Sequence, residues 1–550
     1  MGDVDVRWAG GVQRLAPILE SRVATSGAKG LGIIQPMISR SILLAVAISF
    51  GAAHAQTPGA SAPYMPSWPV RHQLQLLVDH ADLALPMSHW PLPLAAVEQA
   101  LAQLPAQLPA ADVDLESARS AVLRELQQRQ TQGQLRLQVR NRAEGAVGYG
   151  ENYTPGSSVQ FSSEEMRAQS GDWSVAGRLG LRAEESANSL NNGTSGWGTE
   201  GRYQGRLEDS VAAVGWGGWQ LQAFSQRFWW SPGWQNSLVN GNNNPAWNGA
   251  GLQRSSVRES DSGWLSWMGA WNFEAFLARA QDPLVLPGQA QGYVFGGMKL
   301  TMQPWPWLEV GLSRGMQVGG VGRPNGLSTY LKAMLGKETN KWATDPFQDS
   351  SGQIAGYELR LRCPKAWGDC AFYSQGMGDD RTVGIPWPIK FTTMLGAEKA
   401  FDGGRQRVFY EWVNTNTFSH PLEHKGASYP GYINGVYGQG YTNGARWAAS
   451  AFGSGAVVNT VGWMDAERQA IVKLHKGRAT STLGAYDPSV APTGLGPHSG
   501  LWGLSAQRTW TDGRLHWTPE ISYLHFEQGQ DVGANRKNSL RLGLTLAMPL

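Results

Sequence analysis

The spacing of hydrophobic and polar residues in this chain changes near residue 133. From Gln134 onward apolar residues recur at every second position. The last twelve residues show this most clearly, with leucine or methionine at each even position of Leu540–Leu550. A period of two is typical of β-strands with one apolar and one polar face. The same alternation occurs over 175–184 and 357–362. The pattern predicts that residues 133–550 consist almost entirely of strands and turns.

Residues 56–132 show helical spacing instead. Three amphipathic stretches are predicted to be helices, at Val70–His80, Pro93–Leu104 and Val113–Gln130. A proline opens the second stretch, and aspartates precede or open the third, as is typical of helix N-termini. The spacing therefore predicts a small N-terminal helical unit before the strands begin.

The first 55 residues are predicted to lie outside the fold. Arg40 precedes an apolar run, Ile42–Phe50, and the small residues Ala53–Ala55 follow. This order of basic, apolar and small residues is that of a secretory signal peptide. We expect 37–55 to be the signal peptide and 1–36 to be a mis-assigned start or an extension.

A soluble β-sandwich shows the same alternation. The export signal, the unbroken strand pattern over 134–550, the aromatic residues near strand ends and the complete final strand favour a membrane barrel. Glycine accounts for 69 of the 550 residues, charged residues for only 16%, and there are 25 tryptophans. Strands cross a bilayer only as a closed barrel, because open edges leave amides unpaired in hydrocarbon. At about 23 residues per strand with its connection, the alternating part gives about 18 strands, an even number as in bacterial barrels. The predicted fold class is all-β, a transmembrane antiparallel β-barrel of the cell outer membrane.

Charge and motifs exclude several functions. The formal net charge is only +3, which gives no basis for a nucleic-acid partner. The histidines are scattered, and neither a zinc-binding helix motif nor a serine-nucleophile elbow occurs. We therefore expect no enzyme activity, no cofactor and no metal site. The two cysteines, Cys363 and Cys370, are candidates for a disulfide that clips a turn in an exported chain.

One stretch, Gln226–Gly249, is unusually rich in tryptophan and asparagine. It is predicted to be a long loop between strands at 219–228 and 263–269. Flat aromatic faces beside amide groups suit a sugar. The candidate glycan-binding residues of this stretch are Trp229, Trp230, Trp234, Asn236, Asn240, Asn242 and Trp247. The alternative is that the rings pack the loop onto the barrel rim.

Two arginines are further candidates. Arg314 and Arg323 flank a glycine-rich segment, and their guanidinium groups would suit the carboxylates of an acidic polysaccharide. The alternative is that such arginines pair with acidic residues of the barrel wall.

Several motifs resemble the capsule-assembly Wzi family of Gram-negative outer membranes. The residues that carry the resemblance are Arg71–Asp79, His89–Pro93, Trp230–Val239, Met298–Arg314, Gly319–Pro324 and Gln353–Arg360. The resemblance runs from about Trp68 to the C-terminus. It implies an 18-stranded barrel with the helical unit (56–132) at the periplasmic end of the strands (133–550). Tyr437 and Tyr441 match a tyrosine-rich run of the family that carries a histidine absent here, and they join the glycan-binding candidates.

The resemblance also implies a lectin-like function. We expect a protein that binds and retains capsular or extracellular polysaccharide at the cell surface. The alternative is a porin or a polysaccharide export channel, which differs by an open, water-filled bore. The expected partners are the polysaccharide, outer-membrane lipid and the barrel-assembly machinery, and the barrel is expected to be a monomer.

Overall fold

The computed structural model describes residues 58–109, 112–141, 146–152, 156–185, 203–260, 263–281, 292–335, 351–378, 391–420, 425–433, 437–444, 446–480, 498–527 and 537–550. They belong to one compact unit, 53–550. The predicted extension and signal peptide lie outside the described residues, so both stay predictions.

Three helices precede the barrel close to their predicted positions. They are α1 (Trp68–His80), α2 (Leu94–Ala102) and α3 (Leu115–Thr131). Asp114 caps α3, because its carboxylate accepts a hydrogen bond of 2.9 Å from the backbone N–H of Ser117. Helices α1 and α3 pack against each other over a shared apolar core. In the described part of the chain, no helix combines the length and apolarity needed to cross a membrane.

The strands form one closed antiparallel barrel. The described residues form 18 barrel strands, and four of these are each interrupted once. The strands are β1 (Gln134–Arg140), β2 (Ser158–Ser162 and Met166–Ser170), β3 (Trp173–Arg178 and Gly180–Glu185), β4 (Tyr203–Leu207 and Ser210–Trp216), β5 (Trp219–Gln226), β6 (Trp247–Arg254), β7 (Ala270–Arg279), β8 (Val294–Trp305), β9 (Leu308–Val318), β10 (Ser351–Arg362), β11 (Cys370–Gly378), β12 (Phe391–Phe401), β13 (Gln406–Asn414), β14 (Val457–Asp465), β15 (Ala470–Thr480), β16 (His498–Arg508 and Trp510–Asp512), β17 (Leu515–Phe526) and β18 (Asn538–Pro549). The barrel closes where Thr545 of β18 faces Gln138 of β1. The predicted fold class is confirmed.

The wall alternates as the sequence predicts. On β18 the side chains of Leu540 and Leu542 are exposed, whereas those of Ser539 and Arg541 are buried. In a soluble protein the exposed face of a strand is polar and the buried face is apolar, whereas here the exposed face is apolar and the buried face is polar. It is typical of a barrel whose outer surface meets lipid.

Exposed tryptophans collect at the end of the barrel where the short turns lie. Trp305 and Trp307 flank the turn between β8 and β9 and stack with ring centroids 5.5 Å apart. Trp510 and Trp517 stack at 4.5 Å near the turn between β16 and β17. Such aromatic girdles mark the boundary between hydrocarbon and water. The turns at this end therefore define one edge of the lipid-facing belt.

The prediction of a strand at 263–269 is wrong. Residues 263–269 contain a short 3₁₀ helix, Ser266–Met268, and the strand that follows the tryptophan-rich stretch is β6. Trp264 and Trp267 are both exposed in the connection before β7. Their spacing imitates a strand, but they belong to the tryptophans at the short-turn end.

The two cysteines are joined between β10 and β11. The disulfide links Cys363 to Cys370, with Cα atoms 5.3 Å apart. The backbone N–H of Cys363 also donates to the carbonyl of Cys370 at 2.8 Å. The disulfide therefore closes a turn, which is the geometry expected from the spacing.

The helical unit packs against the short-turn end and sends a segment into the bore. His72 of α1 forms a hydrogen bond of 2.6 Å through Nε2 with the carbonyl of Gly404, in the turn between β12 and β13. Glu309 of β9 accepts from the backbone N–H groups of Met87 and Ser88 at 2.9 and 2.8 Å. The core of the helical unit is thus continuous with the interior of the barrel.

Candidate functional site

The tryptophan-rich stretch forms a connection that turns back into the bore. We call this connection between β5 and β6, residues 227–246, the luminal loop. Gln375 of β11 holds it twice. Its amide donates to the carbonyl of Trp230 at 2.8 Å, and its oxygen accepts from the backbone N–H of Leu238 at 2.9 Å. Buried backbone groups must be paired, so a wall side chain here takes the place of a neighbouring strand.

Glu411 of β13 provides the second attachment of the luminal loop. Its carboxylate accepts from the backbone N–H groups of Gln235 and Asn236 at 3.0 and 2.9 Å, and also from that of Trp234. The hydroxyl of Tyr373 donates to the same carboxylate at 3.1 Å. Hydrogen bonds to a charged acceptor are the stronger kind. One side chain therefore fixes three consecutive residues of the loop.

Arg71 of α1 contacts the luminal loop from the side of the helical unit. Its guanidinium carbon lies 4.2 Å from the ring centroids of both Tyr149 and Trp234. It donates to the carbonyls of Gly233 and Pro232 at 2.8 and 2.9 Å. Burial lowers the pKa of Arg71, and the ring faces and carbonyl oxygens stabilise its charge. This arginine links the helical unit to the interior of the barrel.

The segment before α2 makes a second link to the luminal loop. Trp90 and Trp229 exchange backbone hydrogen bonds of 3.1 and 2.9 Å. His89 lies beside them, with Nε2 3.1 Å from a carboxylate oxygen of Glu274 on β7. Burial, followed by the charge of Lys299, holds the pKa of His89 well below its usual range. The side chain of His89 is fully buried between the helical unit and the barrel wall.

A second inward segment fills the bore from the end opposite the short turns. It lies in the connection between β13 and β14, and we call residues 431–433, 437–444 and 446–456 the second luminal segment. Gln317 of β9 donates to the carbonyl of Gly440 at 2.7 Å. The ring of Tyr441 covers Gly315, where an added Cβ would lie 1.4 Å from its hydroxyl oxygen. Only glycine leaves room for this ring.

The two inward segments also hold each other. Asn243 of the luminal loop donates through its amide to the carbonyl of Trp447 at 3.0 Å. The backbone N–H of Gly241 donates to the carbonyl of Ala448 at 2.9 Å. Many of their aromatic and aliphatic side chains belong to one buried cluster that also includes wall residues. The two inward segments and the neighbouring wall thus form one packed core inside the barrel.

The candidate residues of the tryptophan-rich stretch are all buried. None of the seven side chains is more than 3% exposed, and they are Trp229, Trp230, Trp234, Asn236, Asn240, Asn242 and Trp247. Neighbouring rings cover their faces. Trp247, for example, stacks on Phe295 with centroids 4.4 Å apart. In this structure these rings pack the loop into the barrel and offer no face to a sugar in solvent. This placement agrees with the alternative that the rings pack the loop, although they pack inside the barrel and not on its rim. Glycan binding by these residues stays a prediction.

The other candidates also have structural surroundings. Tyr437 and Tyr441 are buried in the second luminal segment, and the hydroxyl of Tyr437 donates to the carbonyl of Gly319 at 3.0 Å. Arg314 projects from the outer face of β9 and donates to Gln353 on the neighbouring strand. Arg323 lies in the connection after β9 and is half-buried. The structure therefore does not bring these residues together with the luminal loop into one surface site.

A cavity of about 190 Å³ lies between residues 63–67 and the wall near β1 to β4. Its polar lining includes Arg129, Arg136, Asn152, Gln160, Arg178, Glu208, Asp209, Gln226, Arg227 and Asn242. Within the described residues, neither polar side-chain atom of Gln226 has a hydrogen-bond partner, and the same holds for Oδ1 of Asn242. Guanidinium and amide groups bind carboxylates and hydroxyls. Glu208 and Asp209 of the lining pair with Arg227 and Arg178 at 2.7 and 2.5 Å. The lining therefore suits a small hydroxylated ligand.

The chemistry of the described interior is hydrogen bonding and charge pairing. No group of three or more His, Cys, Asp or Glu side chains among the described residues is placed to hold a metal ion. The buried cations and anions pair along the inner face of the wall and with the helical unit, as in the contacts of Arg360 with Asp79 and Glu398 at 2.8 and 2.7 Å. Such pairs attach the helical unit to the wall.

Comparison with known proteins gives three findings. The family model described as capsule assembly protein Wzi matches residues 127–478, which is more than half of the chain. A protein of Klebsiella pneumoniae, described as an uncharacterised 55.8 kDa protein in the cps region, is 28% identical over 159 residues. That stretch covers 29% of this chain and 30% of the relative, so the match spans less than a third of either protein.

The third finding is a solved structure of Wzi from Escherichia coli. It is described as a carbohydrate-binding β-barrel and an outer membrane protein involved in group 1 capsule assembly. It superposes with a TM-score of 0.68 at 18% identity, covering 90% of this chain and 99% of that one. At this identity the likeness shows a shared fold.

Proposed function

We propose a function on the premise that the chain belongs to the capsule assembly protein Wzi family, whose model matches residues 127–478. The family resemblance expected from the sequence motifs is thereby confirmed. The proposed function is to bind capsular or extracellular polysaccharide and hold it at the outer surface of the cell. No reaction is catalysed and no cofactor is required. The description of the Escherichia coli barrel as carbohydrate-binding supports this assignment.

The observation that carries the proposal is the filled bore. The luminal loop, the second luminal segment and the segment before α2 meet inside the barrel, and Trp90, Trp230 and Trp447 are fully buried there. A porin needs a continuous aqueous channel. A filled barrel has lost that capacity but presents a rigid platform for its outer connections. The filled bore therefore favours retention of a polymer over its passage through a porin or export channel.

The outer surface supports a location in the outer membrane. Exposed leucines alternate with buried polar residues along the strands, and tryptophans gather at the short-turn end. Lipid of that membrane is therefore a proposed partner. The barrel-assembly machinery is another, because a closed barrel must be inserted into the bilayer. A closed barrel has no free strand edge to pair with another copy, which supports a monomer.

Retention would be multivalent. A polysaccharide repeats the same sugars many times, so several weak contacts on one barrel, or on neighbouring barrels, add to firm attachment. The buried tryptophans have a different part in this proposal, since they hold the bore closed. The cavity beside Gln226 and Asn242 lies toward the short-turn end, next to the helical unit. We therefore place retention on the connections at the opposite end of the barrel and not in this cavity.

The proposal is tested by two measurements on the purified protein. In planar bilayers the wild type should show no large steady conductance. Glu411→Ala, which removes the acceptor for three backbone groups of the luminal loop, should show frequent openings and so serves as the positive control. In a sedimentation assay the wild type should bind purified capsular polysaccharide. A large steady conductance of the wild type, or no binding, would contradict the proposal.

A further inference from the structure

The connection between β9 and β10 carries a fourth helix, α4 (Leu327–Met334). Its position follows from the alternation of β9. Gln317 faces the bore, because it donates to the carbonyl of Gly440 in the second luminal segment. Met316 and Val318 therefore point to the outer face of the wall.

Met316 and Val318 are nonetheless fully buried. They form one apolar cluster with Ala333 of α4. The half-buried side chains packed against this cluster are Met298, Tyr330 and Met334. Two of these, Tyr330 and Met334, belong to α4, so the helix covers the outward side chains of β9. Helix α4 thus lies on the outside of the barrel and not over its mouth.

The helix lies at the far edge of the lipid-facing belt. Trp307 marks the near edge, and Leu312 on the same outward face of β9 is exposed. A strand rises about 3.3 Å per residue, or about 2.5 Å along the barrel axis at a tilt of about 40°. From Trp307 to Met316 this gives about 23 Å, close to the belt height of about 25 Å. Helix α4 therefore sits at the second boundary between hydrocarbon and water.

The face of α4 turned away from the wall is apolar. Leu327, Leu331 and Leu335 are 64%, 52% and 73% exposed. Their spacing of four residues places them along one ridge of the helix. The ridge ends at Leu335, one residue past the end of α4. Lys332 is exposed beside them. An apolar ridge with a flanking cation is typical of helices that lie in a membrane interface.

We propose that α4 is an interfacial helix whose leucine ridge contacts the acyl chains of the lipid leaflet around the end of the barrel opposite the short turns. The ridge continues the apolar belt that begins at the tryptophans of the short turns. This proposal rests on the outer-membrane location proposed above. Its consequence is that residues 327–335 stay at the membrane surface beside the barrel and do not cover its mouth.

The test uses single introduced cysteines, since both native cysteines form a disulfide. Leu331→Cys is labelled with an environment-sensitive fluorophore, and the protein is reconstituted in phosphatidylcholine vesicles that contain acyl-brominated lipid. Leu312→Cys, in the belt, is the positive control. Glu467→Cys, in the exposed turn between β14 and β15, is the negative control. We expect the label at residue 331 to lose fluorescence to the same extent as the label at residue 312, whereas the label at residue 467 keeps its fluorescence.

The controls separate failure of this proposal from failure of the membrane location. If residue 312 is quenched and residue 331 behaves like residue 467, then α4 does not touch lipid and the proposal is wrong. If residue 312 is not quenched, the membrane location fails and the proposal fails with it. If bifunctional cross-linking joins two copies at residue 331 at high lipid-to-protein ratio, the ridge is a protein interface, which also overturns the proposal.

Discussion

Replacing Arg71 by alanine should loosen the helical unit from the barrel. The substitution removes two short hydrogen bonds from a charged donor to the carbonyls of Gly233 and Pro232, at 2.8 and 2.9 Å, and a longer, weaker one to Ser231 at 3.4 Å. Each such bond contributes roughly 1.5 kcal/mol or more. Its contacts with Tyr149 and Trp234 are worth roughly 1 kcal/mol each, and they offset the cost of burying the charge. The net loss in docking free energy is therefore about 3 kcal/mol.

Hydrogen exchange of the α1 amides measures this loss. A change of about 3 kcal/mol raises the population of the undocked state, and with it the exchange rate, by about 100-fold, since 1.36 kcal/mol is a factor of ten. Arg71→Lys should recover little, because an ammonium lacks the planar fork and stacks less well. Arg124→Ala, an exposed position on α3, is the matched control. Unchanged α1 exchange in Arg71→Ala would refute the view that this arginine fastens the helical unit.

Three further predictions concern the same interior. Glu411→Ala leaves three backbone donors of the luminal loop unpaired, which costs roughly 3 kcal/mol or more, so protease should cut the loop faster than in wild type; equal cleavage rates would contradict this. Gly315→Ala places a Cβ 1.4 Å from the hydroxyl of Tyr441, so protease should cut the second luminal segment of this variant. Gly205→Ala on β4 has open space around the added Cβ and should stay resistant. Resistance of both variants would contradict the packing of Tyr441 on Gly315. In the docked state the pKa of His72 is lowered to about 3, first by burial and then by the charge of Arg407. In the undocked state the pKa of His72 is about 6.5, so this state binds more protons between the two values. Docking of α1 should therefore weaken as the pH falls from about 6.5, by up to about 1.4 kcal/mol per pH unit, and His72→Gln should flatten this slope in exchange measurements; an unchanged slope would exclude His72 as its source.

Much of the fold follows from local spacing. A period of two is fixed by the strand itself, so Leu540 and Leu542 on the lipid side and Arg541 on the bore side could be predicted from their order alone. The helices could be predicted for the same reason, and the cap at Asp114 is a local interaction. These features depend on residues a few positions apart, which the sequence shows directly.

The direction of the long connections could not be predicted in this way. A stretch rich in tryptophan and asparagine suits a sugar in solvent and an aromatic core equally well. The choice is made by Gln375 and Glu411, which lie more than a hundred residues away and pair with the loop inside the barrel. The cavity beside Gln226 is likewise assembled from residues between 63 and 242. Helix α4 packs on the outer side of the wall because it covers Met316 and Val318. The alternating pattern of β9 places these two side chains on the outer face, so it could have indicated that side.

Retention of polysaccharide at the cell surface is measured most directly as the fraction of polymer that stays with the cells after gentle washing. The comparison is between the parent strain, a strain lacking the gene, and that strain complemented with the wild type. We expect the deletion strain to make and secrete the polymer but to lose most of it to the medium, and complementation to restore attachment. An unchanged cell-bound fraction in the deletion strain would contradict the proposed function.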